Sequence, residues 1–152
     1  MSIQEKLKTL GLELPPFNPP AANYVPTVCS GNTAYTAGQT PKLAGVLQYK
    51  GKVVSVEEGY QAARLCALNC LGQLDKMAGG LDNIARIVKV VGFVNSAPDF
   101  TGQSKVLDGA SDLLGELFGE AGRHARSAVG VAALPGDAMC EVEMVVELKQ
   151  PV

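Results

Sequence analysis

From Val56 to Met77 the positions Val56, Tyr60, Ala63, Ala67, Cys70, Leu74 and Met77 return every three or four residues, the period of a helix with one buried stripe. Ser55 and Glu58 stand at its head in the spacing of a capping box, and Gly79-Gly80 stops it. A second run of this kind lies in roughly Phe100 to Phe118. Val106, Leu107, Ala110, Leu113, Leu114, Leu117 and Phe118 form its inner side, and Gly119 and Gly122 break it. At the start, Glu5, Lys6 and Lys8 mix with apolar residues at helical spacing, which predicts a short amphipathic helix to Leu10.

Other segments alternate with a period of two. Cys140, Val142, Met144, Val146 and Leu148 alternate with Glu141, Glu143 and Glu147, so one strand face carries the carboxylates. IVKVVGFV, Ile87 to Val94, is apolar on both faces apart from Lys89, as a strand covered on both sides reads. Tyr24 to Ala37 carries strand formers around Gly31-Asn32, a hairpin signal, and Ala44-Gly45 leads into the short strand VLQY. The prolines of LPPFNPPAANY block helix and predict an extended arm over the surface. Arg126 opens a strand of small residues that a Pro-Gly-Asp turn joins to the last strand.

Strands, helix, strand, helix and strands again predict an α+β domain with two long helices packed on one face of a mixed sheet. That arrangement leaves the other sheet face uncovered although its residues are apolar or small. A second copy of the chain is the economical cover, so a homo-oligomer is expected.

A chain of 152 residues with 47% hydrophobic content suits one domain, residues 1–152, with an N-terminal helix and proline-rich arm over 1–22 and a core over 23–149. A net charge of -2 offers no basic stripe for phosphates, which argues against a nucleic-acid partner. No apolar run has the length of a membrane span or the form of a signal peptide; the chain reads as soluble and cytoplasmic, with no membrane partner. Cys29, Cys66, Cys70 and Cys140 follow neither a disulfide framework nor a paired zinc signature, so they read as buried thiols and no metal is expected. Nucleotide-binding glycine motifs and HExxH are missing, and the lone His124 sits in a Gly-rich turn where a solvated role is expected.

Arg126, with Glu141 and Glu143 on the strand expected to face it across the Pro-Gly-Asp turn, and Tyr24 and Tyr35 in the N-terminal hairpin remain as candidates for chemistry. One reading is a solvated acidic face with Arg126 in a surface ion pair. The other is a hollow among small residues in which the guanidinium meets an anion.

The segments NYVPTVCSGNTAYTAGQTP, IVKVVGFVNSAPDF and FGEAGRHARSAVGVAALPGDAMCEVEMVVEL resemble the RidA/YjgF family, also known as endoribonuclease L-PSP. The most specific piece is the ARS-x-V-x-V-x-x-LP run followed by EVE; Gly31, Asn32, Gly38, Gln39 and Pro41 support it. The resemblance implies a chorismate-mutase-like subunit assembled as a homotrimer, with sites in the clefts between subunits. It also implies an activity: hydrolysis of reactive 2-imino acids such as 2-iminobutanoate and 2-iminopropanoate to 2-keto acids and ammonia, with no cofactor. Arg126 falls on the family's carboxylate receptor, Glu141 on the acidic residue beside the catalytic water, and Tyr24, Phe93 and Ala128 on substrate-lining positions. Departures are Ala128 in place of a typical cysteine, Gly130 in place of a frequent glutamate, and Ala37 in place of a hydroxyl residue. A noncatalytic trimer that binds small carboxylates is the alternative. Ribonuclease activity, suggested by the family's older name, is disfavoured by the acidic balance and the single histidine.

Overall fold

A computed structural model describes residues 1–17, 19–20 and 22–152. Asn18 and Ala21, inside the predicted arm, lie outside the described residues. Helix α1 (Ile3–Thr9) follows a capping box in which the Ser2 side chain accepts from the Glu5 amide at 3.1 Å and Glu5 accepts from the Ser2 amide at 2.8 Å. Ile3 and Leu7, four apart, are its buried residues. Strands β1 (Thr27–Ser30) and β2 (Thr33–Thr36) form the expected hairpin around Gly31-Asn32, and β3 (Lys42–Leu43) pairs with β4 (Val46–Leu47) around Ala44-Gly45, both with positive φ.

Helix α2 (Val56–Met77) begins after Ser55, as predicted, but Ser55 makes no side-chain capping bond. The capping box expected at Ser55 and Glu58 therefore does not form. Of the predicted stripe, Ala63, Ala67, Cys70 and Leu74 are fully buried, whereas Val56, Tyr60 and Met77 are only partly so. Tyr60 turns toward the second long helix, α3 (Gln103–Phe118), and donates its hydroxyl proton to Asp112 at 2.6 Å. The predicted inner residues of α3 from Val106 to Leu117 are all fully buried.

Strands β5 (Ile84–Asn95), β6 (Ala125–Val131) and β7 (Cys140–Leu148) complete a five-stranded sheet in the order β1-β2-β7-β5-β6. β5 and β6 run parallel across α3, and the other neighbours are antiparallel. The Pro135–Asp137 turn therefore does not close a hairpin: β5 lies between β6 and β7. Both long helices cover the face that carries Val90, Val94, Val142, Met144 and Val146. On the other face Val28, Tyr35 and Val129 are 51%, 47% and 45% exposed, beside Val91, Phe93, Glu141, Glu143 and Val145. This is the uncovered apolar surface that the sequence pattern anticipated.

Three of the four cysteines, Cys66, Cys70 and Cys140, are fully buried between α2 and β7. The Cys66 thiol donates to Cys140 O at 3.7 Å, and the Cys70 thiol to Val142 O at 3.3 Å. Burial pushes the Cys66 thiol well up and that of Cys70 to about 12, so neither offers a thiolate near neutrality. A thiol reagent applied to the native protein is expected to modify Cys29 first and the other three only on unfolding; rapid native labelling of Cys66 or Cys70, located by peptide mass spectrometry, contradicts this packing. Among the described residues no helix is long and apolar enough to cross a membrane, and no group of three His, Cys, Asp or Glu side chains is arranged to hold a metal ion.

Candidate active site

The chain leaves β2 through Ala37 and Gly38 and pairs once more with β7, where the Gln39 amide donates to Val142 O at 2.8 Å and the Val142 amide to Gln39 O at 3.0 Å. This pairing sets Gly38 beside Glu141. A Cβ on residue 38 would come within 2.9 Å of both the carboxyl carbon and Oε2 of Glu141, so the glycine leaves the space the carboxylate occupies. Asn69 fixes the continuation of the loop from below. Buried in the apolar stretch of α2, it donates its amide protons to Thr40 O at 3.0 Å and Lys42 O at 2.9 Å. The arm contributes Pro19, Pro20 and Tyr24, and with Pro26, Gln39, Lys42, Asn69 and Glu141 they line a cleft of about 290 Å³.

Glu141 is half-buried in this cleft. Burial, and then the like charge of Glu143 two residues on along the same face, push its carboxyl above the ordinary range. Such a group keeps some of its protonated form closer to neutral pH, which suits it to give and take protons. Phe93 is the cross-strand partner of Glu141 and shares its sheet face. Tyr24, 57% exposed, stands at the mouth.

Arg126 and Ala128 lie elsewhere in the protomer. They pair with Val90 and Gly92 of β5 and so belong to the helix-covered face, opposite to Glu141. The Arg126 guanidinium turns to α3. Nη1 donates to Asp108 at 2.9 Å and to Ser111 Oγ at 3.1 Å, and Nη2 to Ser104 Oγ at 2.8 Å and Ser104 O at 3.1 Å. Within one chain, therefore, Tyr24, Phe93 and Glu141 are together and Arg126 and Ala128 are apart from them. The strand that faces Arg126 is β5, in place of the expected strand of Glu141 and Glu143. His124 is also placed otherwise than expected: it is half-buried, with Nε2 2.9 Å from Ser111 Oγ and Nδ1 2.7 Å from Gly122 O.

The residues that sequence reasoning missed are Asn69 and Lys42. Asn69 left a signal, being an amide between Leu68 and Cys70 on the buried side of an apolar helix, where an unpartnered polar group is costly. Lys42, a lysine beside a turn, left none.

A family model described as "YjgF/chorismate_mutase-like, putative endoribonuclease" matches residues 4–148. The chain belongs to the YjgF/chorismate mutase-like family. Protein TCP17 of Trypanosoma cruzi is 48% identical to it over 150 residues, 96% of this chain and 94% of that one. Among solved structures, Atu1372 of Agrobacterium tumefaciens, whose function is unknown, is 43% identical with a TM-score of 0.85, covering 97% of this chain and 92% of its own. A "putative endoribonuclease" of Shewanella oneidensis MR-1 is 39% identical with a TM-score of 0.94, covering 97% and 100%. The family fold accounts for the helix-covered mixed sheet and for the resemblance seen in the ARS and EVE segments.

Proposed function

We propose that this member of the YjgF family hydrolyses reactive 2-imino acids to 2-keto acids and ammonia in the Tyr24–Glu141 cleft. The observation that carries the reading is Glu141: a half-buried carboxyl, raised above its ordinary range, that lines the cleft and is seated in the space Gly38 leaves for it. In this reading Glu141 takes a proton from water as the water oxygen bonds to C2 of the imine. The proton then passes to the nitrogen, the C–N bond breaks, and ammonia leaves as the carbonyl forms. Tyr24 and Phe93 flank the substrate.

The same reading gives the substrate carboxylate to Arg126. Because that side chain lies across the sheet in its own protomer, the assignment requires a homotrimer in which edge strand β6 of a neighbouring copy completes the cleft. The exposed Val28, Tyr35 and Val129 are the apolar surface that such an assembly would cover. A two-point carboxylate contact displaces the Ser104 contacts of Nη2 and leaves Asp108 on Nη1.

The test is release of keto acid from 2-iminopropanoate and 2-iminobutanoate generated in situ by an amino-acid oxidase. Wild type is expected to accelerate it, and Arg126→Ala to lose about 30-fold or more in kcat/KM, the effect of removing a desolvated charge partner. A folded wild type that binds 2-ketobutanoate without accelerating imine hydrolysis rejects the enzymatic reading in favour of a noncatalytic carboxylate-binding protein.

A further inference from the structure

A second cluster of chemical groups lies on the helix-covered side of β6, apart from Glu141 within the protomer. Ser111 of α3 and His124, just before β6, approach within 2.9 Å through Oγ and Nε2. The tautomer follows from the other ring nitrogen. Gly122 O can only accept, so Nδ1, 2.7 Å away, carries the proton, and Nε2 of the neutral ring is a bare acceptor to which the Ser111 hydroxyl donates. Burial lowers the His124 pKa, the Gly122 carbonyl opposing it and Arg126 adding to it, which favours the neutral ring. Arg126 Nη1 donates to the same Ser111 oxygen at 3.1 Å. The three groups border a surface cavity of about 310 Å³ that also includes Asp108 and Arg123.

The order of bonds is hydroxyl to imidazole to fixed acceptor, with a cation on the hydroxyl oxygen. That is the arrangement by which a weak oxygen nucleophile is activated: a base in reach of its proton and a third group holding the base. We propose that Ser111 and His124 form a nucleophile–base pair acting on small esters that carry a negative charge. Ser111 Oγ bonds to the acyl carbon as its proton passes to His124 Nε2. As Ser111 Oγ bonds to carbon, the Arg126 Nη1 hydrogen that it accepted turns to the developing oxyanion. The tetrahedral adduct collapses, the proton moves from Nε2 to the departing alcohol oxygen, and the acyl group stays on Ser111. Water, deprotonated by Nε2, then attacks that carbonyl, and Ser111 leaves with the proton returned. Arg123, largely exposed at the cavity edge, meets the anionic end of the substrate.

The experiment treats the full chain with a fluorophosphonate probe and locates the adduct by peptide mass spectrometry, alongside hydrolysis of the 4-nitrophenyl half-ester of succinate. One adduct on Ser111 is expected, with hydrolysis falling at least tenfold in both Ser111→Ala and His124→Gln. Glutamine at 124 keeps a hydrogen-bonding brace but no base, so melting curves that match wild type combined with lost labelling separate catalysis from packing. No adduct on Ser111 of the wild type, or equal hydrolysis in Ser111→Ala, overturns the proposal and leaves the pair as a brace between α3 and β6. Labelling of the wild type decides the matter even if a variant does not fold.

Discussion

Glu141→Gln is expected to lower turnover of 2-iminopropanoate by about 100-fold or more, the usual contribution of a positioned acid–base group, without loss of stability. The two effects have one origin. The Glu141 pKa is raised in the folded chain by burial and by Glu143, so the ionised form is worse accommodated folded than unfolded. A group with a raised folded pKa contributes stability that is present below its unfolded pKa and is lost as pH rises through the folded one. At neutral pH the wild type therefore holds Glu141 at a cost, and a neutral amide of the same shape removes it. Melting temperatures at pH 4 and pH 8 check this: the advantage of the variant over wild type should be small at the lower pH and greater at the higher. A variant that melts below wild type at pH 8, or one that keeps full turnover, refutes the role given to Glu141.

Gly109→Ala should be the most damaging single methyl group in the fold. A Cβ there would stand 2.0 Å from the carbonyl oxygen of Tyr60 and 2.9 Å from its carbonyl carbon. These are backbone atoms of α2, which no rotamer can move aside, so α2 and α3 must separate and open the core between them. Alanine recovers about 1 kcal/mol of helix propensity over glycine, but forced overpacking costs about 3 kcal/mol or more, and overpacking wins. The net loss should lower the melting temperature by roughly 5 °C or more for a chain of this size. Gly115→Ala on the same helix is the control. Nothing lies within 4 Å of its added Cβ, so it should melt at or above wild type. Equal melting of the two variants contradicts the close crossing.

Where a periodic signal was strong, the fold was legible. The seven-residue inner side of α3 and the alternation of β7 each permit one orientation, because the alternative buries carboxylates. The small-residue strand β6 was not legible in this way. Arg126, Ala128 and Gly130 on one face and Ser127, Val129 and Val131 on the other bury little whichever way they turn, so hydrophobicity does not choose the face. Its partner was equally hidden. A short Pro-Gly-Asp turn suggests a hairpin, and only the parallel pairing through α3 puts β5 between β6 and β7. The environment of His124 was hidden for a related reason: Gly122 packs against Leu114 O, which draws the turn onto α3 and half-buries the ring. Of the candidate site, Glu141, Phe93 and Tyr24 were singled out by the family resemblance, alternation giving only the face that Glu141 shares with Glu143, whereas Asn69 acts through loop carbonyls far away in sequence.

The pairing of β2 with β7, Ala34 opposite Val146, has a consequence for how the protein is made. The amino-terminal hairpin leaves the ribosome early and has no sheet to join until β7 emerges, and the segment of Gly38 and Gln39 waits for the same strand. In the nascent chain α2 can meet α3, and α3 can settle on β5, first, while the hairpin edge stays open to chaperones or to misplaced neighbours. Closure of the sheet must be a late, long-range event, slow beside local helix formation, and the space around Glu141 comes into being only with that last step.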